Sequence, residues 1–188
     1  MNPKYAQSLL RQPRKLFHTQ DLAVLWHVGK ANTLHTTIKR YCQSGTLQRI
    51  HKGLYATVDP KMLDPLALGM AILHKYAYLS CESILQTEGL LNPVIPYQTL
   101  VSSQARSFSA NGNHYRCRKL PDIFLFNDYG IEKQNGIAVA SVARAVADQL
   151  YFNPQQHFDG RIPIKAVRQV QERLGYPLTR TSMRKGSA

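Results

Sequence analysis

The 188-residue sequence predicts an α+β protein: an N-terminal winged helix-turn-helix followed by a mixed α/β C-terminal domain. Three observations carry this. Two helical segments are separated by a short turn between Thr19 and Ser44, a glycine-tipped two-stranded ribbon follows them, and short strands and helices alternate from residue 66 onward.

Pro3 to Arg11 form a first helix, with Tyr5, Leu9 and Leu10 as its apolar stripe and Pro13 ending it. Leu16 and Phe17 lead into Thr19, the expected N-cap of a helix over Gln20–Trp26 whose Leu22, Leu25 and Trp26 pack inward. Gly29 stops that helix. Asn32 is the expected cap of the next one, from Thr33 to about Ser44, closed by Gly45. On a helical wheel Leu34, Ile38, Tyr41 and Cys42 share one side. The opposite side carries Thr36, Lys39, Arg40 and Gln43, flanked by Thr33 and His35.

These are residue types that read DNA. Arg and Lys reach guanine O6 and N7, Gln pairs with adenine, and Thr contacts phosphate or a thymine methyl. Every surface helix has a polar face, but the four central positions here hold two cations and no acid. Leu47–His51 and Leu54–Val58 then read as strands joined at Lys52-Gly53, the glycine supplying positive φ at the tip. Arg49, His51 and Lys52 crowd that tip, where a wing against a DNA backbone or a narrow minor groove needs cations.

Asp59-Pro60 and Asp64-Pro65 mark the expected boundary, because proline pushes the preceding residue out of the helical region. This divides the chain into a DNA-binding domain over 1–60, an α+β domain over 61–176 and a basic flexible tail over 177–188. In the second domain the sequence predicts a helix over Leu66–Tyr76, a strand at Tyr78-Leu79, and a helix capped by Ser80 that runs to Glu88 before Gly89. A strand at Tyr97–Ser102 comes next, then a hairpin of Arg106–Ala110 and His114–Lys119 around the favoured Asn111-Gly112 turn. Further strands are expected at Ile123–Phe126, near Tyr129–Glu132 and at Ile137–Ala140, the set being mostly antiparallel. Ser141 caps a helix with Val142, Ala145, Val146 and Leu150 on one face, and Pro163 enters a last helix that turns Val167, Val170 and Leu174 inward. Lys165, Arg168 and Arg173 on that helix face solvent and are further candidate phosphate contacts.

The net charge of +13 is unevenly placed. Residues 1–60 hold nine Lys or Arg against two acids, residues 61–150 eight against seven, and residues 151–188 seven against two. Two basic ends around a nearly neutral middle favour a phosphate-facing surface over uniform basic solvation. No apolar run approaches the length of a transmembrane helix, and the N-terminus lacks a secretory h-region, so a cytoplasmic protein is expected. Cys42, Cys81 and Cys117 lie far apart, and the seven histidines lack ligand spacing. They read as reduced thiols and scattered imidazoles, and neither a metal nor another cofactor is expected.

Several blocks together resemble a known family. The segments Thr19-Gln20-Asp21-Leu22, Thr33-Leu34 through Arg40, and Gly45-Thr46-Leu47-Gln48-Arg49-Ile50-His51-Lys52-Gly53-Leu54-Tyr55 resemble the winged-helix domain of AbiEi-type antitoxins, also described as predicted transcriptional regulators of viral defence systems. Tyr78-Leu79-Ser80-Cys81-Glu82-Ser83-Ile84-Leu85 with Glu88-Gly89-Leu90 looks like the family's strand-to-helix segment, and Val139 to Asp148 looks like its later helix. The resemblance covers roughly residues 15–150. It implies a bacterial protein that binds double-stranded DNA at its own promoter and counteracts a nucleotidyltransferase-type toxin encoded beside it, the second domain being needed for neutralisation. The residues themselves allow a plainer reading of that domain, in which Ser80 and Ser141 are helix caps while Glu82 and Asp148 balance nearby charges or dipoles.

Two other classes stand beside the regulator. A metal-dependent nuclease could draw on Asp122, Glu132 and Lys133, but adjacent residues on a strand point to opposite faces, and no P-loop or nucleophile motif is present. No enzyme is therefore expected. A protein-interaction module would instead have the second domain bind a toxin directly. A winged helix engages paired half-sites as a dimer or as two monomers, and both are open at this point.

Overall fold

A computed structural model describes residues 3–92 and 95–183. The chain forms two compact units, one of residues up to His74 together with Ala110–Gly112, the other of Lys75–Ser109 and the residues from Asn113 onward. It is an α+β protein with two sheets.

The first unit contains α1 (Pro3–Leu10), β1 (Leu16–His18), α2 (Thr19–Leu25), α3 (Ala31–Gln43), β2 (Gln48–His51), β3 (Leu54–Ala56), a 3-10 turn at Pro60–Met62, and α4 (Pro65–Leu73). The strands form an antiparallel sheet of order β1-β3-β2. Its core gathers Phe17, Leu22, Trp26, Leu34, Ile38 and Tyr41. Trp26 lies between two tyrosines, its ring 5.2 Å from those of Tyr5 and Tyr41, and its Nε1 donates to the Tyr5 carbonyl at 3.2 Å. The apolar wheel positions Leu34, Ile38 and Tyr41 are buried as their spacing requires.

Several local expectations are corrected. Leu16 and Phe17 belong to a strand, with Phe17 opposite Tyr55 and fully buried; three residues are too few for an alternation to register. His18, not Thr19, is the N-cap of α2, and its backbone N–H donates to Asp21 Oδ2 at 2.8 Å. The Thr19 N–H instead donates to the Gly53 carbonyl at 2.9 Å. Helix α2 ends at the C-cap Trp26, before Gly29, and α3 begins at Ala31 after the cap position Lys30 rather than after Asn32.

The expected boundary at residue 60 falls inside the first unit. The Asp59 carboxylate accepts from the Lys61 N–H at 2.9 Å, and that of Asp64 from the Ala67 N–H at 2.8 Å. Each Asp-Pro pair is therefore a cap followed by proline at a helix start, which is a nucleation signal rather than a linker.

The second unit contains β4 (Ala77–Leu79), α5 (Glu82–Thr87), β5 (Gln98–Ser102), β6 (Arg106–Ala110), β7 (Asn113–Lys119), α6 (Asp122–Leu125), β8 (Ile131–Gln134), β9 (Ile137–Ala140), α7 (Val142–Phe152), α8 (Ile164–Leu174) and α9 (Arg180–Met183). The sheet order is β6-β7-β5-β4-β9-β8. Pairs β4–β5 and β8–β9 and the β6–β7 hairpin are antiparallel while β4–β9 and β5–β7 are parallel, so the sheet is mostly antiparallel, as expected, with two parallel pairs. Crossover connections produce those parallel pairs, and no local pattern encodes them. The hairpin around Asn111-Gly112 forms as expected, both residues having positive φ.

The strand expected at Ile123–Phe126 is the single helical turn α6, since a short apolar run fits either structure. Cys81 rather than Ser80 occupies the N-cap of α5. Ser141 does cap α7, its Oγ accepting from the Arg144 N–H at 3.3 Å. Residues expected in a flexible tail form α9, preceded by buried Thr179; the last five residues lie outside the described residues. No helix among the described residues is long and apolar enough to cross a membrane.

Candidate functional site

Helix α3 and the β2–β3 hairpin bring the nine DNA-facing candidates of the first unit onto exposed positions. Thr33, His35, Thr36, Lys39, Arg40 and Gln43 are all exposed along α3, and so are Arg49, His51 and Lys52 on the hairpin. The helix passes into the hairpin through a short tie: Leu47 is buried, and its N–H donates to the Tyr41 carbonyl at 3.0 Å. Arg49 thereby comes close to the last turn of α3. Burial raises the Cys42 thiol pKa, and the Arg49 guanidinium partly offsets that rise. The far end of the hairpin is tied as well, because the Gly53 carbonyl receives the Thr19 N–H at the start of α2.

Electrostatics single out this face. The acids of the first unit are Asp21, Asp59 and Asp64, and each accepts a backbone N–H at a helix or turn start. Among the described residues, no carboxylate lies within ion-pair distance of Lys39, Arg40, Arg49 or Lys52. The unit thus spends its negative charge on capping and leaves a row of uncompensated cations beside hydroxyl and amide side chains.

A cleft of about 360 Å³ borders the hairpin, lined in part by His18, Thr19, His51, Lys52 and His74. The His18 and His74 rings meet edge to face, their centroids 3.8 Å apart. Burial and then the His74 charge lower the His18 pKa from its ordinary 6.5, while Asp21 opposes them and the ring donates to the Ala71 carbonyl. A histidine held neutral by the fold adds stability above its unfolded pKa and loses it as protons bind at lower pH. The thermal stability of the first unit is therefore expected to fall on acidification below pH 6.5, and His18→Gln should reduce that fall. An unchanged pH profile in the variant would refute the assignment. No local pattern signals this pair: the two residues lie far apart in the chain, and His74 stands in a left-handed conformation, φ 51°, at the end of α4.

The second unit places its family-like blocks in a buried network. Arg144 and Asp148, one helical turn apart on α7, are both fully buried and pair at 3.0 Å. Arg144 Nη1 donates to the carbonyls of Asn127 and Tyr129, each at 3.0 Å, and Nη2 to the Tyr78 hydroxyl at 2.8 Å and the Phe124 carbonyl at 3.2 Å. Asp148 receives the hydroxyls of Tyr78, Ser80 and Tyr176 at 3.0, 2.7 and 2.7 Å. Burial, followed by the Asp148 charge, pushes both phenols far above their usual range, so they stay donors. Gly130 fits the backbone against this network: its φ is +77°, and a Cβ there would lie 3.0 Å from the Arg144 Cβ. Glu82 likewise ion-pairs Arg118, whose guanidinium lies 5.1 Å from the Phe152 ring. Every donor of Arg144 is occupied within the unit, so these residues hold the fold together.

The remaining candidates are dispersed. Arg168 pairs with Glu172 at 2.9 Å and Arg173 lies 5.7 Å above the Tyr129 ring, so of the three α8 cations only Lys165 has neither kind of contact among the described residues. Asp122 opens α6 while Glu132 and Lys133 lie exposed on β8, so the three do not occupy successive strands. No group of three or more His, Cys, Asp or Glu among the described residues is placed to hold a metal ion.

The chain is thus a two-unit α+β protein with an uncompensated basic face on its first unit. Its fold is similar to that of the RV2827C protein from Mycobacterium tuberculosis, at a TM-score of 0.52 and 16% identity, over 93% of this chain and 71% of that one. At that identity the likeness concerns the fold alone. No protein family matches the sequence, and no curated protein does.

Proposed function

We propose that the protein is a DNA-binding transcriptional regulator whose first unit is a winged helix-turn-helix, with α3 in the major groove and the β2–β3 hairpin as the wing. The observation that carries this reading is the row Thr36, Lys39, Arg40 and Gln43 on one exposed helix face, continued by Arg49 and Lys52, with every acid of the unit engaged elsewhere. Lys and Arg supply the sequence-independent phosphate attraction, and Gln, Arg and Thr supply base readout. The three-stranded sheet supports the assignment, because β1 against β3 gives a wing a base on which to stand.

The resemblance of residues 15–150 to AbiEi-type antitoxins extends the reading. The protein represses its own promoter and neutralises a nucleotidyltransferase-type toxin encoded next to it, through the second unit. A gel-shift titration on DNA upstream of the reading frame tests the first part. Binding should exceed that to random duplex by on the order of 10³-fold and fall steeply with salt. Equal affinity for both duplexes would sink it. Co-expression with the neighbouring toxin tests the second part: growth should be rescued by the whole chain and not by residues 1–74.

A further inference from the structure

We propose that the second unit carries a docking surface for a second copy of this chain, centred on α6 and the residues after it. The turn is held from inside by fully buried Leu125, while Ile123 is 78% exposed and Phe126 63% exposed. Tyr76, 40% exposed, extends the patch, its ring 5.6 Å from that of Phe126, and Tyr129, also 40% exposed, follows Phe126 three residues along the chain. Single exposed apolar side chains are ordinary on a protein surface. Here four large ones gather around one helical turn and its loop, and together they expose roughly 500 Å². That is more than half of the roughly 800 Å² per partner that a standard interface takes, so the patch supplies a core to which only a rim must be added.

The rim identifies the occupant. Asp122 starts α6, and Asp128 lies close enough to Tyr76 to act on its phenol. Lys75 precedes Tyr76 in the chain, and the Arg173 guanidinium lies 5.7 Å above the Tyr129 ring. Two acids and two bases surround the apolar centre, on a chain whose net charge is +13. Nucleic acid gains nothing from a patch with no charge excess, and an acidic partner would be drawn to the basic ends instead. A second copy related by a two-fold axis fits, because a rim with two acids and two bases can complement itself, each acid-to-base contact then occurring twice. The surface is independent of the DNA reading and stands or falls separately from it.

Sedimentation velocity of the full chain without DNA tests the proposal. The expected result is a reversible dimer that forms by protein concentrations of about 100 μM. Ile123→Asp and Phe126→Asp should each weaken self-association about 30-fold or more, as loss of an interface anchor does. Circular dichroism should stay native, since both side chains face solvent. The double variant Asp122→Lys/Asp128→Lys should not self-associate but should pair with Lys75→Glu/Arg173→Glu. A wild-type chain that stays monomeric over this range overturns the proposal. So does a dimer indifferent to the apolar variants, or a failure of the two charge-reversed chains to pair.

Discussion

Arg144→Met is expected to destabilise the second unit by about 3–5 kcal/mol, a large share of the roughly 5–15 kcal/mol by which folded domains are stable. The reason lies in what the substitution strands. Asp148 is fully buried and would keep its three hydroxyl donors but lose the Arg144 guanidinium, and the carbonyls of Asn127, Tyr129 and Phe124 would lose the N–H groups that it donates to them. Arg144→Lys should recover little, because an ammonium cannot reproduce a planar fork that donates to five acceptors. Arg144→Met/Asp148→Leu should recover more, since it removes both charges, though it still strands the hydroxyls of Tyr78, Ser80 and Tyr176. Urea unfolding followed by circular dichroism measures all three. A shift below about 1 kcal/mol in Arg144→Met would show that solvent reaches the network.

Lys39→Ala/Arg40→Ala is expected to weaken binding to the promoter duplex by about 2–5 kcal/mol and to reduce the salt slope by about 1–2. Both side chains are exposed and none of their lost contacts is internal, so thermal stability should stay within about 0.5 kcal/mol of the parent. Gln43→Ala should act differently. Its side chain carries no charge, so the salt slope should hold while the preference for operator over random duplex declines. Lys165→Ala on α8 serves as a comparison, with the operator preference intact. Unchanged affinity in the Lys39 and Arg40 variant would remove α3 from the groove.

The sequence was informative where one period or one turn decides the structure. Leu34, Ile38 and Tyr41 recur at helical spacing, so the opposite face of α3 was fixed along with them. Asn111-Gly112 specified its hairpin because few other residues accept positive φ at both positions. Short elements carry no such signal. Leu16–His18 and Asp122–Leu125 have three and four residues, fewer than a period needs. An Asp-Pro pair is compatible with a linker and with a helix start alike, and at Asp64-Pro65 the Asp caps α4 and the proline starts it. The parallel pairs β4–β9 and β5–β7 and the His18–His74 contact join residues far apart in the chain, and no local pattern points to them.

The α+β class, the exposed cationic row on α3 and the basic tip of the hairpin follow from the order of residues alone, because charge and periodicity are properties of neighbouring residues. Where the acids go, the turning of Ser80 into the core rather than to a helix cap, and the outward placement of Ile123 and Phe126 come from folding. Those outcomes depend on which segments meet. A buried carboxylate such as Asp148 acquires its role from Tyr78, Ser80, Arg144 and Tyr176, and only folding brings the groups it requires within hydrogen-bonding distance.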